Sequence, residues 1–561
     1  MLFGLRRTMG TAWWYLSEGL LWLFGRRRPY GILRIDLKGD PAEGPTSRRL
    51  SLFGGRQRSE YLPLLAALRW ARDDAAIRAV YVRCGELRLG WARVQEIRRA
   101  LSAVRRSGRP VWIHLTHAGL HEYVLGSAAD RVLLTPAGGL DIAGLSSEVT
   151  FVAGALEKLG VQAEVVQLGR YKSAGEMFTR TTMSPEHREM VESLVSDLYG
   201  QLVAAVAEGR GMDPAEARAI LDRGPFSAKE ALEANLVDAL QYDDESEESL
   251  RESCEAAAVI EQGDYVTRRG KALRRPRRQQ ALGRLGLVHV VGSIKMGDSL
   301  PGFDGSTAAG AEALVKDLRE LRDRNDVRGV VLRVTSPGGS GLASDLLWHE
   351  LRRIRQRKPL VVSLGDVAAS GGYYIGVAGS LLLAEQGTIT GSIGVLAGKP
   401  VLRGLYGHLG VTKEVVSQGR HAALHSDYLP LGDAEREVLQ RHAAAFYGDF
   451  VDKVASGRDL PRDRVDAVAQ GRVWTGRQAQ EIGLVDQIGG LAEAIDEAKV
   501  LAGFERGQMV AIDAYPRPSR LWKLPGALLP FQGRAGQGRS SMPDARRERI
   551  WALLPLRFRF F

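Results

Sequence analysis

Residues 359–376 read PLVVSLGDVAASGGYYIG. A β-branched apolar run, PLVVSL, gives way to small residues around one hydroxyl, Ser370, and then to GGYYIG, which can open a helix. The order is strand, sharp turn, helix. Upstream, GVVLRV (329–334) is a second buried strand, and SDLLWHELRRIRQ (344–356) is an amphipathic helix between the two. Short strands alternating with longer helices build right-handed βαβ units on a mainly parallel sheet. The fold class expected is α/β.

The same pattern occurs twice. IRAVYVR (77–83) parallels VRGVVLR (327–333), GILRIDL (31–37) parallels GLVHVVG (286–292), and EALEANLVDAL (230–240) parallels QAQEIGLVDQI (478–488). MSPEHREMVESLVSDLY (183–199) likewise matches LGDAEREVLQRHAAAFY (431–447), with an offset near 250 residues throughout. Self-similarity at this period means two tandem copies of one domain. The expected division is a membrane-anchoring or interfacial segment at 1–28, an N-terminal repeat at 29–262 and a basic linker at 263–284. A C-terminal repeat follows at 285–500, then a partly flexible tail with an aromatic-basic end at 501–561.

A chain of 561 residues, 45% hydrophobic and 25% charged, has material for several globular cores. Two cysteines, Cys84 and Cys254, make no disulfide framework, and no CxxC or His/Cys cluster points to a metal. No cofactor is expected. The +11 charge is concentrated in runs such as TRRGKALRRPRR (267–278), which carries seven positive charges. No stacking aromatics interleave those arginines, so nucleic acid is not an expected partner. A solvated linker or anionic lipid suits the run better.

Both ends suit a membrane surface. MGTAWWYLSEGLLWLFGRRR (9–28) has about 17 residues between flanking arginines, a polar stripe containing Ser17 and Glu18, and three tryptophans. These features fit an interfacial anchor better than a clean span, and no small-x-small site marks a removable leader. RRERIWALLPLRFRFF (546–561) mixes arginine with exposed aromatics and needs a covering surface, either lipid or another subunit.

Ser370 sits where a helix start offers unpaired N–H groups, the geometry of a nucleophile on a turn. VTSPGGSG (334–341) ends the neighbouring strand, and parallel strands bring their C-terminal ends to one edge. SPGG and ASGG should therefore face one another, with the N–H groups of Gly371 and the SPGG turn as candidate oxyanion donors. A serine hydroxyl needs a base. His408, His421, His425 and His442 make a Ser–His pair conceivable, and Lys172 in LGRYKSAGEMF (168–178) is the other option if burial lowers its pKa. The two copies differ in a complementary way. Gly119 aligns with Ser370 and Ala422 with Lys172, while CGELRLG (84–90) replaces SPGG. One copy holds the serine and glycines, the other the lysine.

With SPGGS, AASGGYY, TGSIG (390–394) and GRYKSA in order, the chain resembles the long, two-repeat form of the signal peptide peptidase A family over residues 30–500. These are membrane-associated serine endopeptidases built on a Clp/crotonase-like domain. The resemblance implies Ser370 as nucleophile, Lys172 as general base, Ser392 as the hydroxyl that holds the lysine, and Gly371 and Gly339 as oxyanion donors. It also implies homotetramers that take cleaved signal peptides and other apolar peptides, with the catalytic face outside the inner membrane. A crotonase-like acyl-thioester enzyme and a non-catalytic membrane scaffold are the alternative readings.

Overall fold

The computed structural model describes residues 31–44, 61–256, 258–273, 283–299, 308–505, 507–516 and 551–553. The expected anchor at 1–28 and most of the tail lie outside these residues. Two parallel sheets with one topology dominate. In the first, the order is Val259–Glu261, Gly31–Gly39, Ile77–Leu87, Val111–Leu115, Arg131–Leu134, Ala239–Leu240. In the second, it is Ala511–Tyr515, Arg284–Val291, Val327–Ser336, Leu360–Ala369, Leu381–Ala384, Gln487–Ile488. Strand for strand, the repeat read from the sequence is a repeat of fold. Val327–Ser336 is buried at nearly every position because helices cover both faces, which explains why Val330, Val331 and Leu332 stand in a row instead of alternating with polar residues.

Two sequence boundaries shift. The second sheet takes its edge strand from Ala511–Tyr515, beyond residue 500. The expected linker begins as a helix, Gln262–Leu273, whose Tyr265 is fully buried and donates to Asp74 while Arg269 pairs with the same carboxylate. An apolar stripe hidden among basic residues makes that segment part of the first repeat.

Each repeat also carries a 26-residue helix, Pro185–Arg210 and Asp433–Arg458. The first starts on a Ser184 cap, with Pro185 in the first turn, and stops at Gly211 in the left-handed region. Among the described residues it is the one helix long and apolar enough to cross a membrane. Met190, Leu194, Leu202 and Val206 are all fully buried, so it is a core helix of the first repeat.

A strand ladder and a buried ionic cluster are among the contacts that join the repeats. Gln162–Leu168 of the first repeat runs antiparallel to Val395–Val401 of the second, from Val395 opposite Leu168 to Val401 opposite Gln162. Between the main sheets lies a buried ionic cluster. Arg333, fully buried, donates to Glu43 at 2.7 Å and to Glu96 and Ser363 at 2.6 and 2.8 Å. Burial alone would raise the Glu43 carboxyl, but Arg333 and Arg93 hold it down at about 2, whereas burial pushes Glu96 up to about 7. Breaking such a cluster from one side leaves an uncompensated buried charge.

Candidate active site

Ser370 ends the strand Leu360–Ala369 and caps the helix Gly371–Gly376. Its backbone holds φ 54° and ψ −117°, a conformation that costs a non-glycine residue about 1–3 kcal/mol and persists only where neighbours enforce it. The enforcement is visible. The Ser370 N–H donates to the Gly391 carbonyl at 2.8 Å, and its carbonyl accepts from Tyr374 N–H. The paired tyrosines after the serine are anchors: Tyr373 donates to the Leu484 carbonyl at 2.8 Å and Tyr374 to Asp345 at 2.7 Å.

The glycines beside the serine allow two backbones to meet. A Cβ on Gly371 would stand 3.2 Å from the Gly339 nitrogen and 2.6 Å from Ser344 Oγ, and one on Gly372 only 2.5 Å from the Ser336 carbonyl oxygen. SPGG and ASGG are therefore in direct contact, as the strand order required. Gly338 and Gly339 both have positive φ, 100° and 154°. The short strand Gly338–Ser340 pairs antiparallel with Trp551–Leu553 of the tail, with Gly339 opposite Ala552. The tail strand touches Val395–Val401 as well, at Leu396. The described part of the tail thus lies on its own chain.

Lys172 arrives from the other repeat on the turn after Gln162–Leu168. Its amine stands 2.8 Å from Ser370 Oγ, 2.9 Å from Ser392 Oγ and 3.1 Å from the Ser392 carbonyl oxygen. Lys172, Ser370 and Ser392 are each 1% exposed or less. Burial lowers the ammonium pKa to about 7, and no carboxylate stands among its hydrogen-bond partners to restore it. A neutral amine has two N–H groups, which suit the oxygens of Ser392, and one lone pair, which suits the serine hydroxyl. Ser392 is itself held at φ 53°, its N–H donating to the Arg472 carbonyl.

The structure brings Ser370, Lys172, Ser392, Gly371 and Gly339 together within one chain. The histidines are elsewhere: His408, His425 and His442 are exposed, and His421 faces Glu435 at 3.5 Å. Gly119 caps the helix Leu120–Gly126 at the place equivalent to the serine.

Other groups that hold the site carry no local sequence signal. Gly471, at φ 76°, packs on the Lys172 backbone, and a Cβ there would lie 2.6 Å from Lys172 Cα. Asp366, four residues before Ser370, accepts from the N–H groups of Gly90 and Arg93 at 3.1 and 2.9 Å and from the Arg93 side chain. It clamps the serine strand to the lysine-bearing repeat.

A buried serine beside an amine and two glycine turns is the constellation of a serine hydrolase, here placed on a duplicated α/β scaffold. The chain belongs to peptidase family S49, whose sequence pattern matches residues 103–257 and 352–505, one stretch in each repeat. It is similar to the chloroplastic serine protease SPPA of Arabidopsis thaliana, 33% identical over 502 residues, covering 88% of this chain and 72% of that one. It is also similar to Protease 4 of Salmonella typhi, 30% identical over 492 residues and covering 84% and 78% of the two chains. Protease 4 of Haemophilus influenzae is 32% identical over 416 residues, covering 72% and 66%. The protein is a serine protease that acts on peptides.

Proposed function

We propose that the protein hydrolyses peptide bonds through a Ser370/Lys172 dyad. Neutral Lys172 takes the Ser370 proton as Oγ bonds to the scissile carbonyl carbon, and the N–H groups of Gly371 and Gly339 receive the oxyanion. The lysine ammonium then protonates the leaving amine as the C–N bond breaks. Water, deprotonated by the same amine, releases the acyl group. Ser392 orients the amine in each step. The carrying observation is the 2.8 Å approach of a buried, desolvated lysine to a serine held in a strained turn.

Substrates bind as an added strand. Trp551–Leu553 already pairs with Gly338–Ser340 in this manner, so an extended peptide can take its place by main-chain hydrogen bonds. Leu342 and Leu346, 57% and 39% exposed on the following helix, favour apolar peptides such as cleaved signal peptides. Residues 9–28 anchor the protein to the inner membrane with the catalytic domains on the extracytoplasmic side, and the chain assembles as a homotetramer.

A fluorophosphonate probe followed by peptide mapping tests the dyad. Label on Ser370 in the wild type, lost in Lys172→Ala, supports it. Label retained in Lys172→Ala but lost in His421→Ala would replace it with a Ser–His pair. Absence of any label, together with full biological activity of the Ser370→Ala protein, would return the reading to a scaffold.

A further inference from the structure

The turn that presents Lys172 hangs between the two repeats. On its upstream side the contacts belong to the second repeat. Gln162–Leu168 has its ladder there, Tyr171 N–H donates to the Gln470 carbonyl at 2.8 Å, and Gly471 packs on the Lys172 backbone. On its downstream side the chain returns to the core of the first repeat through two short helical turns, Ser173–Gly175 and Glu176–Thr179. Two carboxylates tie this return to the long helix Pro185–Arg210. Glu189 accepts from Tyr171 Oη at 2.9 Å but is shared with Arg472 of the second repeat at 2.6 Å. Glu176, four residues past the lysine, is bound by first-repeat groups alone.

Glu176 is buried, and its carboxylate collects three donors from the start of that helix. Ser184 Oγ donates at 2.6 Å, Ser184 N–H at 3.1 Å and His187 Nδ1 at 3.0 Å. Burial alone would raise this carboxyl, but the Ser184 and His187 bonds hold it below the usual range. A carboxylate only accepts, so the proton of the His187 ring stands on Nδ1. The other ring nitrogen, Nε2, is buried without a partner, on a side chain 1% exposed. An unsatisfied buried nitrogen is costly, and an apolar side chain would fill the same space without it. The bond to Glu176 is what the polar ring contributes.

Duplication shows that the fold does not require this arrangement. The second repeat builds the same long helix as Asp433–Arg458, but Gly432 stands where Ser184 does and gives no side-chain cap. Counted from the helix start, Glu435 replaces His187, and in the GRYKSA/GRHAAL pairing Ser426 replaces Glu176. Carboxylate, serine and histidine are thus present in the copy that carries the lysine and missing from the one that carries Ala422.

We infer that Glu176, gripped by Ser184 and His187, is a positioning residue for the general base. It fixes the downstream end of the lysine turn, so that the Lys172 amine stays 2.8 Å from Ser370 Oγ. Charge-assisted bonds converging on one carboxylate leave the turn little freedom to drift. Glu176 touches no reacting atom and acts through Lys172. The inference deepens the dyad reading above and rests on it.

The test follows fluorophosphonate labelling of Ser370 and peptide kinetics in the full chain. Glu176→Gln should slow labelling and kcat by roughly 10–100-fold with KM nearly unchanged, because the proposed peptide strand lies on the second repeat. His187 supplies a second pair of variants. Asn puts its N–H₂ near the place of Nδ1, whereas Gln extends towards the place of Nε2. His187→Asn should therefore recover most of the rate lost in His187→Gln, even where denaturant melts show equal losses of stability. Wild-type rates in Glu176→Gln, or rates in the two His187 variants that simply follow stability, would overturn the assignment. Lys172→Ala, run alongside, separates the two readings. If it labels as fast as wild type, the dyad falls and the inference with it; if it loses label while Glu176→Gln labels normally, the inference falls alone.

Discussion

Asp366 in the serine-bearing repeat accepts the backbone N–H of Arg93 in the lysine-bearing repeat at 2.9 Å. The residues are 273 apart, yet this carboxylate sits one helical turn's worth of chain from Ser370. It touches no reacting atom and acts by position. Asp366→Ala should lower kcat/KM by roughly 10–100-fold with KM nearly unchanged, the scale expected when reacting groups are misplaced by about 1 Å. Steady-state kinetics with a fluorogenic peptide, beside the rate of fluorophosphonate labelling, separates this from simple unfolding: both should fall together at unchanged circular dichroism.

The dyad sets the pH dependence. As the proposed base, the Lys172 amine must be neutral to act, and burial lowers its pKa to about 7. Activity should rise with pH through about 7 and level off, standing roughly tenfold lower at pH 6 than on the plateau. A kcat/KM profile flat from pH 5.5 to 8.5 would contradict a lysine base.

The same burial weakens the fold. Between about pH 7 and the ordinary lysine range the unfolded chain holds a proton that the native chain does not, so this group makes stability rise with pH. Lys172→Met should therefore stabilise the protein, by up to a few kcal/mol at or below neutral pH, with the gain fading in alkaline solution. Denaturant melts at pH 6.5 and 9.5 measure it. Catalysis should drop roughly 10³-fold or more.

Gly471→Ala places a Cβ against the Lys172 backbone in a conformation that disfavours side chains. The lysine must shift, and labelling of Ser370 should fall steeply at a stability cost of about 1–3 kcal/mol. Thermal melting and probe kinetics on one preparation check both halves of the claim.

The tail strand shares the proposed peptide site. Deleting residues 546–561 should raise kcat/KM for short apolar peptides, chiefly through KM, because Trp551–Leu553 no longer competes for Gly338–Ser340. Added synthetic peptide of that sequence should reverse the gain.

Much of this was legible before any coordinates. Strands such as VRGVVLR declare themselves by their own composition, and duplication supplied a control for each: Lys172 stood out only because its counterpart is Ala422. The positioning groups did not show. Asp366 reads as half of an ordinary Gly-Asp turn, and Arg333 as a charged residue that breaks a strand's apolar run. Their meaning lies in partners such as Arg93, Glu43 and Glu96, more than 200 residues away, and no local spacing records such contacts. The tail was expected to need a foreign surface. Within that end the described residues Trp551–Leu553 pair with the glycine turn, a contact that a short strand without distinctive pattern could not announce.

Because the amine and the alcohol of the proposed dyad lie on different repeats, 198 residues apart, a ribosome that has released only the first repeat would expose no complete dyad. On the proposed dyad, chemistry waits until the later half has folded and docked, so completion of the fold itself acts as the switch that turns the protease on.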